Sequence, residues 1–175
     1  MSKWFYIVCL GLILSSCGAE EQEETNEFNW TKQNSSELSE NLAQQEEVDI
    51  EAYLIMRPEW EMIETGSGLR YFIYEEGPED GPTPRSGQDV EIELNINLLD
   101  GTECYSTESD EVLILRVDRS EVESGIQESF KHLSEGDKAK LIVPSHLAHG
   151  LVGDMDKIPP LSVLVIDIHL AKVRS

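Results

Sequence analysis

The chain has 175 residues, enough for one globular domain and an additional segment. Its 35 acidic and 13 basic side chains give a formal charge of -22, which argues against nucleic-acid binding because phosphate recognition requires clustered Lys and Arg. The same balance argues against docking on anionic lipid through a basic patch. A hydrophobic content of 39% is nevertheless sufficient for a packed core.

The first segment has the pattern of a bacterial lipoprotein signal peptide. One basic residue, Lys3, precedes an apolar run over residues 4–14. As a helix this run spans about 16 Å, too short for a hydrocarbon core of about 30 Å, so a secretory signal is favoured over a membrane span. The sequence LSSC at 14–17 resembles a lipobox, which predicts removal of residues 1–16 and lipidation of Cys17. The acyl chains on this cysteine are expected to anchor the protein to a membrane.

The residues after the cysteine bear on localisation. Gly18 stands where an aspartate retains lipoproteins in the inner membrane of enterobacteria, so an outer-membrane lipoprotein of the cell envelope is expected. The acidic stretch EEQEE at 20–24 resembles the sequences that direct some Bacteroidota lipoproteins to the cell surface. Both a periplasmic and a surface-facing orientation therefore stay open.

An acidic segment separates the signal from the folded part of the chain. Residues 17–48 are rich in Glu, Gln, Asn and Ser, which predicts a flexible, disordered tether, either a solvated spacer or an acidic binding tail. Residues 49–64 are expected to form a short amphipathic helix and a linker. Ile50, Tyr53 and Leu54 lie on one face of that helix.

Residues 65–175 have the pattern of a sheet with one helix. Strands are predicted at five places, over residues 69–75, 90–98, 112–117, 138–143 and 161–173. Ser120 and Glu123 fit a capping box that opens a helix, with an apolar stripe that includes Val122 and Ile126. Several antiparallel strands and one short helix predict an α+β fold in which a curved sheet wraps around the helix.

Cysteine and histidine spacing predicts neither a disulfide nor a metal site. Cys9 is removed with the signal and Cys17 is lipidated, which leaves Cys104 alone. His146 and His149 lie three residues apart, without an acidic or cysteine partner nearby in the sequence, so zinc binding is not expected.

The same region contains several short motifs in a definite order. They are LLDG at 98–101, Val122 with Gly125, LSEGDKA at 133–139, VPSHLAHG at 143–150 and IPP at 158–160. Their order resembles that of FKBP-type peptidyl-prolyl isomerases. The family writes these stretches as DG, V-I-x-G-W, M-x-x-G-x-K, IP-x-x-x-AYG and IPP. The chain is also similar to gliding-motility-associated FKBP-like lipoproteins of Bacteroidota. The resemblance implies the FKBP-like half barrel, a curved antiparallel sheet around one short helix, and no cofactor.

The reaction that the resemblance implies is rotation about Xaa–Pro amides in proline-containing polypeptides. The barrier to this rotation is about 18–20 kcal/mol. A dry apolar pocket grips the proline ring and weakens the resonance that keeps the amide planar. A backbone N–H and one or two polar side chains then hold the twisted amide, so the transition state is bound in preference to the substrate.

Ten residues of this chain occupy the positions of the family's proline pocket. They are Leu94, Cys104, Tyr105, Leu113, Val122, Glu123, Ile126, His149, Ile158 and Ile166. Val122 and Ile158 match the family, whereas the tryptophan of the pocket floor is replaced by Ile126 and the tyrosine of AYG by His149. Each lost ring contact is expected to weaken proline binding by about 1 kcal/mol or more.

Several of these residues also fit a plainly structural interpretation. The aliphatic candidates suit core packing, and Cys104 suits a small buried apolar residue as well as a reactive thiol. His149 is compatible with donating a hydrogen bond to substrate and with capping its loop. Asp154 and Asp156 lack the ligand spacing of a calcium loop and are expected to be solvated.

Two functions follow from the resemblance. The first is an envelope-anchored peptidyl-prolyl cis-trans isomerase and folding helper of reduced activity. The alternative is an isomerase-inactive FKBP-fold lipoprotein that acts as a chaperone-like or structural component of an envelope machine for gliding motility or secretion. The replaced aromatic residues favour the alternative, and the retained motifs favour the enzyme.

Overall fold

A computed structural model of the chain describes residues 32–107, 111–119 and 122–174. The predicted signal peptide, Cys17 and the first part of the predicted tether lie outside these residues. Residues 36–175 form one compact unit, which holds the whole sheet.

The described part of the chain contains two α-helices, one 3₁₀ turn and seven strands. The helices are α1 (Lys32–Ile55) and α2 (Ser124–Ser129), and the 3₁₀ turn is Ser145–Leu147. The strands are β1 (Ile63–Glu64), β2 (Arg70–Glu75), β3 (Asp89–Leu98), β4 (Glu103–Ser106), β5 (Leu113–Arg116), β6 (Lys138–Val143) and β7 (Leu164–Arg174).

The strands form one open antiparallel sheet in the order β1-β2-β6-β7-β3-β4. β3 is long enough to pair with β7 along one edge and with both β4 and β5 along the other. The predicted α+β fold, an antiparallel sheet with one short helix against it, is confirmed.

The main core lies on one face of this sheet. Alternate residues of β3 are buried, starting at Val90, because successive side chains of a strand point to opposite faces. Helix α2 and the residues that follow it contribute Ile126, Phe130 and Leu133, each at most 1% exposed. Burial of each large apolar side chain stabilises the fold by about 1.5–3 kcal/mol.

Helix α1 packs through a smaller apolar cluster and through its carboxylates. Ile50 is buried against Ile142 of β6 and Val163, next to β7. Glu47 accepts hydrogen bonds from the guanidinium of Arg70, at 2.6 and 2.8 Å, and this arginine is 6% exposed. Within the described residues, no helix has both the length and the apolar character required to cross a bilayer.

Both helices begin elsewhere than the sequence predicts. α1 starts at Lys32 and not near residue 49, so the prediction of a flexible tether is wrong for residues 32–48. That segment has no pronounced apolar face, but it contains neither Gly nor Pro and is rich in Glu and Gln, which favour a helix. α2 starts after Glu123, which is the N-cap residue and makes no side-chain capping bond. Ser120, the other member of the predicted capping box, lies outside the described residues.

Close contact between α2 and β6 requires a glycine in the first turn of the helix. A Cβ atom on Gly125 would lie 2.4 Å from Cγ1 of Val143 and 3.3 Å from the carbonyl oxygen of Leu147. The absence of a side chain therefore sets the distance between the helix and the sheet.

We predict that Gly125→Ala lowers the free energy of unfolding by about 1–3 kcal/mol, because the added methyl group displaces Val143 or the helix. Gly66→Ala is the matched control, since nothing lies within 4 Å of its added Cβ, and a change within about 0.5 kcal/mol is expected. Urea denaturation of both variants measures the difference. Equal losses for the two variants would contradict the packing argument.

Candidate functional site

Seven of the ten candidate residues belong to a single hydrophobic cluster. These residues are Leu94, Cys104, Tyr105, Val122, Ile126, Ile158 and Ile166. Strands β3, β4 and β7 contribute four of them, and α2 with the segments before α2 and β7 contributes the rest. The fold thus brings together residues that are separated by up to 72 positions, from Leu94 to Ile166.

Strand register explains how the sheet residues meet. Ile96 of β3 lies opposite Tyr105 of β4 on one edge and opposite Ile166 of β7 on the other. Leu94, two residues earlier on β3, faces the same side of the sheet as Ile96 because side chains alternate.

Four of the candidate residues, which form the floor of the candidate site, are almost completely buried. Ile166 is 0% exposed, Ile126 is 1% exposed, and both Cys104 and Ile158 are 2% exposed. The interpretation of Cys104 as a small buried apolar residue agrees with this burial, which also raises the pKa of its thiol. Among the candidates that belong to the cluster, Tyr105 and Val122 are only partly buried.

Leu113 does not take the core position that its hydrophobicity predicts. It is 39% exposed, and it pairs with Ile92 at the first residue of β5. Leu115, two residues further along the same strand, is buried instead. The structural interpretation of Leu113 as a core residue is therefore wrong, because the core does not extend to the end of this strand.

His149 and Glu123 form a polar pair. Nε2 of His149 lies 2.8 Å from Oε1 of Glu123, and the two side chains are 28% and 13% exposed. The Glu123 carboxylate, for which the sequence predicts a capping box, thus contacts the loop between the 3₁₀ turn and β7. His149 stands where the family motif has tyrosine, and its imidazole is already oriented by the Glu123 carboxylate.

Asp154 connects β4 to the loop that carries Ile158. Its Oδ2 accepts a hydrogen bond from the Tyr105 hydroxyl at 2.5 Å, and its Oδ1 accepts from the backbone N–H groups of Asp156 and Ile158, both at 2.8 Å. The bond from Tyr105 is the main cause that lowers the pKa of Asp154 to about 2. The same bond raises the pKa of Tyr105 to about 12.

The expectation that Asp154 is merely solvated is therefore wrong. The sequence contains a signal for its role, because an Asp side chain often accepts a hydrogen bond from the N–H two residues later and so shapes a turn. The partner on β4 is 49 positions away along the chain and has no signal in the sequence.

The described residues hold no group of three His, Cys, Asp or Glu side chains placed to bind a metal ion. A separate open cavity of about 250 Å³ lies on the polar face of the sheet, where Glu93 and His169 are among the lining residues. Leu94 also contributes to its wall, but the other candidate residues do not line this cavity.

We predict that Tyr105→Phe raises the pKa of Asp154 from about 2 toward the ordinary value of 3.8, because the main hydrogen bond to the carboxylate is removed. Titration of the Asp154 side-chain carboxyl carbon by NMR measures this pKa directly. Tyr74→Phe is the matched control, since Tyr74 donates to Asp167 at 2.8 Å and does not contact Asp154.

The direction in which stability changes with pH follows from the two pKa shifts. Asp154 has a lowered pKa, so its stabilising effect is present above about pH 3.8 and is lost as the pH falls through about 2. Tyr105 has a raised pKa, so its effect is present below about pH 10 and is lost as the pH rises through about 12. An Asp154 midpoint that is the same with and without the Tyr105 hydroxyl would contradict this account.

Comparisons with known proteins agree with the geometry. The sequence profile described as FKBP-type peptidyl-prolyl cis-trans isomerase matches residues 81–171. The isomerase Fkbp12 of Drosophila melanogaster is 37% identical over 99 residues, which cover 55% of this chain and 92% of that protein. FkpA of Escherichia coli strain K12 is 34% identical over 111 residues, which cover 63% of this chain and 39% of FkpA. The chain therefore spans about two fifths of the length of this relative.

Solved structures show the same fold. A peptidyl-prolyl cis-trans isomerase from Pseudomonas syringae superposes with a TM-score of 0.66 at 25% identity, covering 78% of this chain and 96% of that one. The crystal structure of E. coli FkpA gives a TM-score of 0.65 at 30% identity, covering 81% of this chain and 64% of that one. On sequence and fold together, the chain belongs to the FKBP-type peptidyl-prolyl cis-trans isomerase family.

Proposed function

We propose that this protein is a slow peptidyl-prolyl cis-trans isomerase that helps proline-containing polypeptides to fold at the cell envelope. The observation that carries the proposal is the gathering of seven candidate residues into one cluster, in a chain of the isomerase family. The reaction requires no nucleophile, metal or cofactor. Proline-containing polypeptides are the proposed substrates.

The proposed mechanism depends on removing water from the amide. A proline ring that contacts Tyr105, Val122 and the aliphatic residues beneath them is shielded from water. The amide then loses the hydrogen bonds to water that favour its planar form. In the proposed mechanism His149, which is held by Glu123, offers its imidazole to the twisted amide. Only interactions that are stronger in the twisted state lower the barrier.

The proposed reduction in rate follows from the burial of the aliphatic residues at the floor of the candidate site. Ile126 and Ile166 are at most 1% exposed, so a proline ring reaches them only when neighbouring side chains move apart. A site that is competent for a fraction of the time binds with an affinity reduced by that fraction. The smaller aliphatic side chains also offer less contact area than the aromatic residues of the family pocket.

The same burial supports a second candidate function. If the apolar residues never open to a proline ring, the domain serves as a chaperone-like or structural module of an envelope machine and not as an enzyme. The replacement of the tryptophan position by the fully packed Ile126 favours this alternative. One assay separates the two functions.

We predict that micromolar protein accelerates isomerisation of a tetrapeptide with an Xaa–Pro bond, measured by a protease-coupled assay. His149→Ala is expected to lower kcat/KM by at least about tenfold, since one positioned polar group usually contributes about 100-fold or more. His169→Ala is the matched control, because His169 pairs with Glu93 at 3.2 Å, outside the hydrophobic cluster.

Ile158→Ala is expected to lower the rate as well, and its control is Ile142→Ala in the smaller cluster near α1. Both substitutions remove buried side chains and cost about 2–5 kcal/mol of stability, so thermal denaturation checks that each variant is folded at the assay temperature. No acceleration by the unmodified protein would exclude the enzyme in favour of the structural module. Acceleration that both site variants retain would show that the proline site is elsewhere.

We also propose that lipid on Cys17 holds the protein at the outer membrane, on its periplasmic side or at the cell surface. The support is the short apolar run of residues 4–14 with the lipobox-like LSSC after it. Residues 17–31 then separate the lipid from α1.

We predict that Cys17→Ser abolishes incorporation of labelled palmitate and moves the protein to the soluble fraction of lysed cells. At least two acyl chains are needed for stable anchoring, so the loss of the modified cysteine removes the whole anchor. Cys104→Ala is the control and is expected to keep both the label and the membrane association. Palmitate labelling that persists in Cys17→Ser would contradict the proposed site of lipidation.

A further inference from the structure

We propose that Glu46 of α1 is a positioning residue for the loop that carries His149. Its role in catalysis rests on the proposed isomerase function, whereas its role in holding the loop does not. Helix α1 precedes the region that matches the isomerase family, which begins at residue 81.

The contact is made to the first residue of the 3₁₀ turn. One carboxylate oxygen of Glu46 accepts the backbone N–H of Ser145 at 3.1 Å, and the other accepts the Ser145 hydroxyl. Ser145 is 4% exposed, so both donors are removed from water. The N-cap residue of the turn is Pro144, which makes no side-chain capping bond, and Glu46 supplies the missing acceptor from another element.

Ser145 in turn holds the backbone on both sides of His149. Its carbonyl oxygen accepts the N–H of Ala148 at 3.0 Å and the N–H of Gly150 at 2.8 Å. The carbonyl oxygen of Gly150 accepts the N–H of Leu161 at 2.8 Å. A displacement of Ser145 is therefore transmitted to the peptide units that set the direction of the imidazole.

The helix that carries Glu46 is fixed independently of this loop. Ile50, one turn further along, is 1% exposed in its cluster with Ile142 and Val163. Glu47, the adjacent residue, binds Arg70 on β2. The Glu46 carboxylate thus stands on a docked scaffold, and little conformational entropy is lost when it binds Ser145.

The neighbouring glutamates provide a matched pair of variants. Glu46→Ala removes the contact with the loop, and Glu47→Ala removes an ion pair of α1 with the domain but none with the loop. Alanine is the best helix former, so neither change disrupts α1 itself. Glu46→Gln keeps one acceptor oxygen and serves as the conservative variant.

The first measurement is amide hydrogen exchange of Ala148 and Gly150 by NMR in the full chain, together with the chemical shifts of the His149 ring. Glu46→Ala is expected to speed exchange of both amides by about tenfold or more and to shift the ring signals, because local opening becomes easier. Glu47→Ala is expected to leave both unchanged, and Glu46→Gln to lie between the two.

The second measurement is kcat and KM for the Xaa–Pro tetrapeptide. Glu46→Ala is expected to lower kcat by about tenfold with a smaller change in KM, since misplacement of His149 is felt mainly in the twisted transition state. Glu47→Ala is expected to retain kcat even where its thermal stability falls as much.

The two measurements separate the two hypotheses. If the unmodified protein has no isomerase activity, the proposed function fails, and the exchange and ring-shift data still decide whether Glu46 holds the loop. If Glu46→Ala and Glu47→Ala affect the loop equally, or if neither affects it, the positioning role is overturned.

Discussion

Strand β7 makes backbone hydrogen bonds along both of its edges, and the positions of the site residues depend on this double pairing. It pairs with β3 over the whole length from Asp89 to Leu98 and with β6 over Lys138–Val143. Ile166 consequently lies opposite Ile96 of β3 and Leu141 of β6 at the same time. A slip of one residue would turn every inward side chain of β7 toward the outer face of the sheet, so burial on one face enforces a single register.

The loops around this sheet are held in a different way, which follows from the composition. With 35 acidic and 13 basic side chains, most carboxylates cannot find a cation, and several accept backbone N–H or hydroxyl donors instead. Glu46 and Asp154 do so next to the candidate site. Asp137 accepts from Gly77 and Ser134 at 2.7 Å each, and Glu135 accepts from Val173 at 2.7 Å. The excess of acid is therefore partly structural, because carboxylates bonded to N–H groups fix turns that contain few apolar contacts.

The sequence was informative wherever a local period determines the structure. Alternation at β3 and β6 predicts strands within a residue or two of the observed bounds, because one face of each is buried. The contacts that were missed join distant segments through polar atoms, as in Glu46 with Ser145, which are 99 positions apart. No apolar period in the sequence marks such a contact. For the same reason the first half of α1 has the composition of an unfolded tether, although it is helical. The pocket positions came from resemblance, and the exposure of Leu113 shows that position in a motif does not determine burial.

Because Cys104 is buried, its reactivity reports on local opening of the structure around it. The thiol is 2% exposed on β4 and lies 3.6 Å from the carbonyl oxygen of Lys157, in the loop that leads to Ile158. A soluble thiol reagent reaches Sγ only while β4 and this loop are apart, and burial further disfavours the reactive thiolate. In the proposed mechanism, the same separation admits a proline ring to the buried aliphatic residues. The alkylation rate of Cys104 therefore measures how often β4 and this loop separate, without any substrate being present.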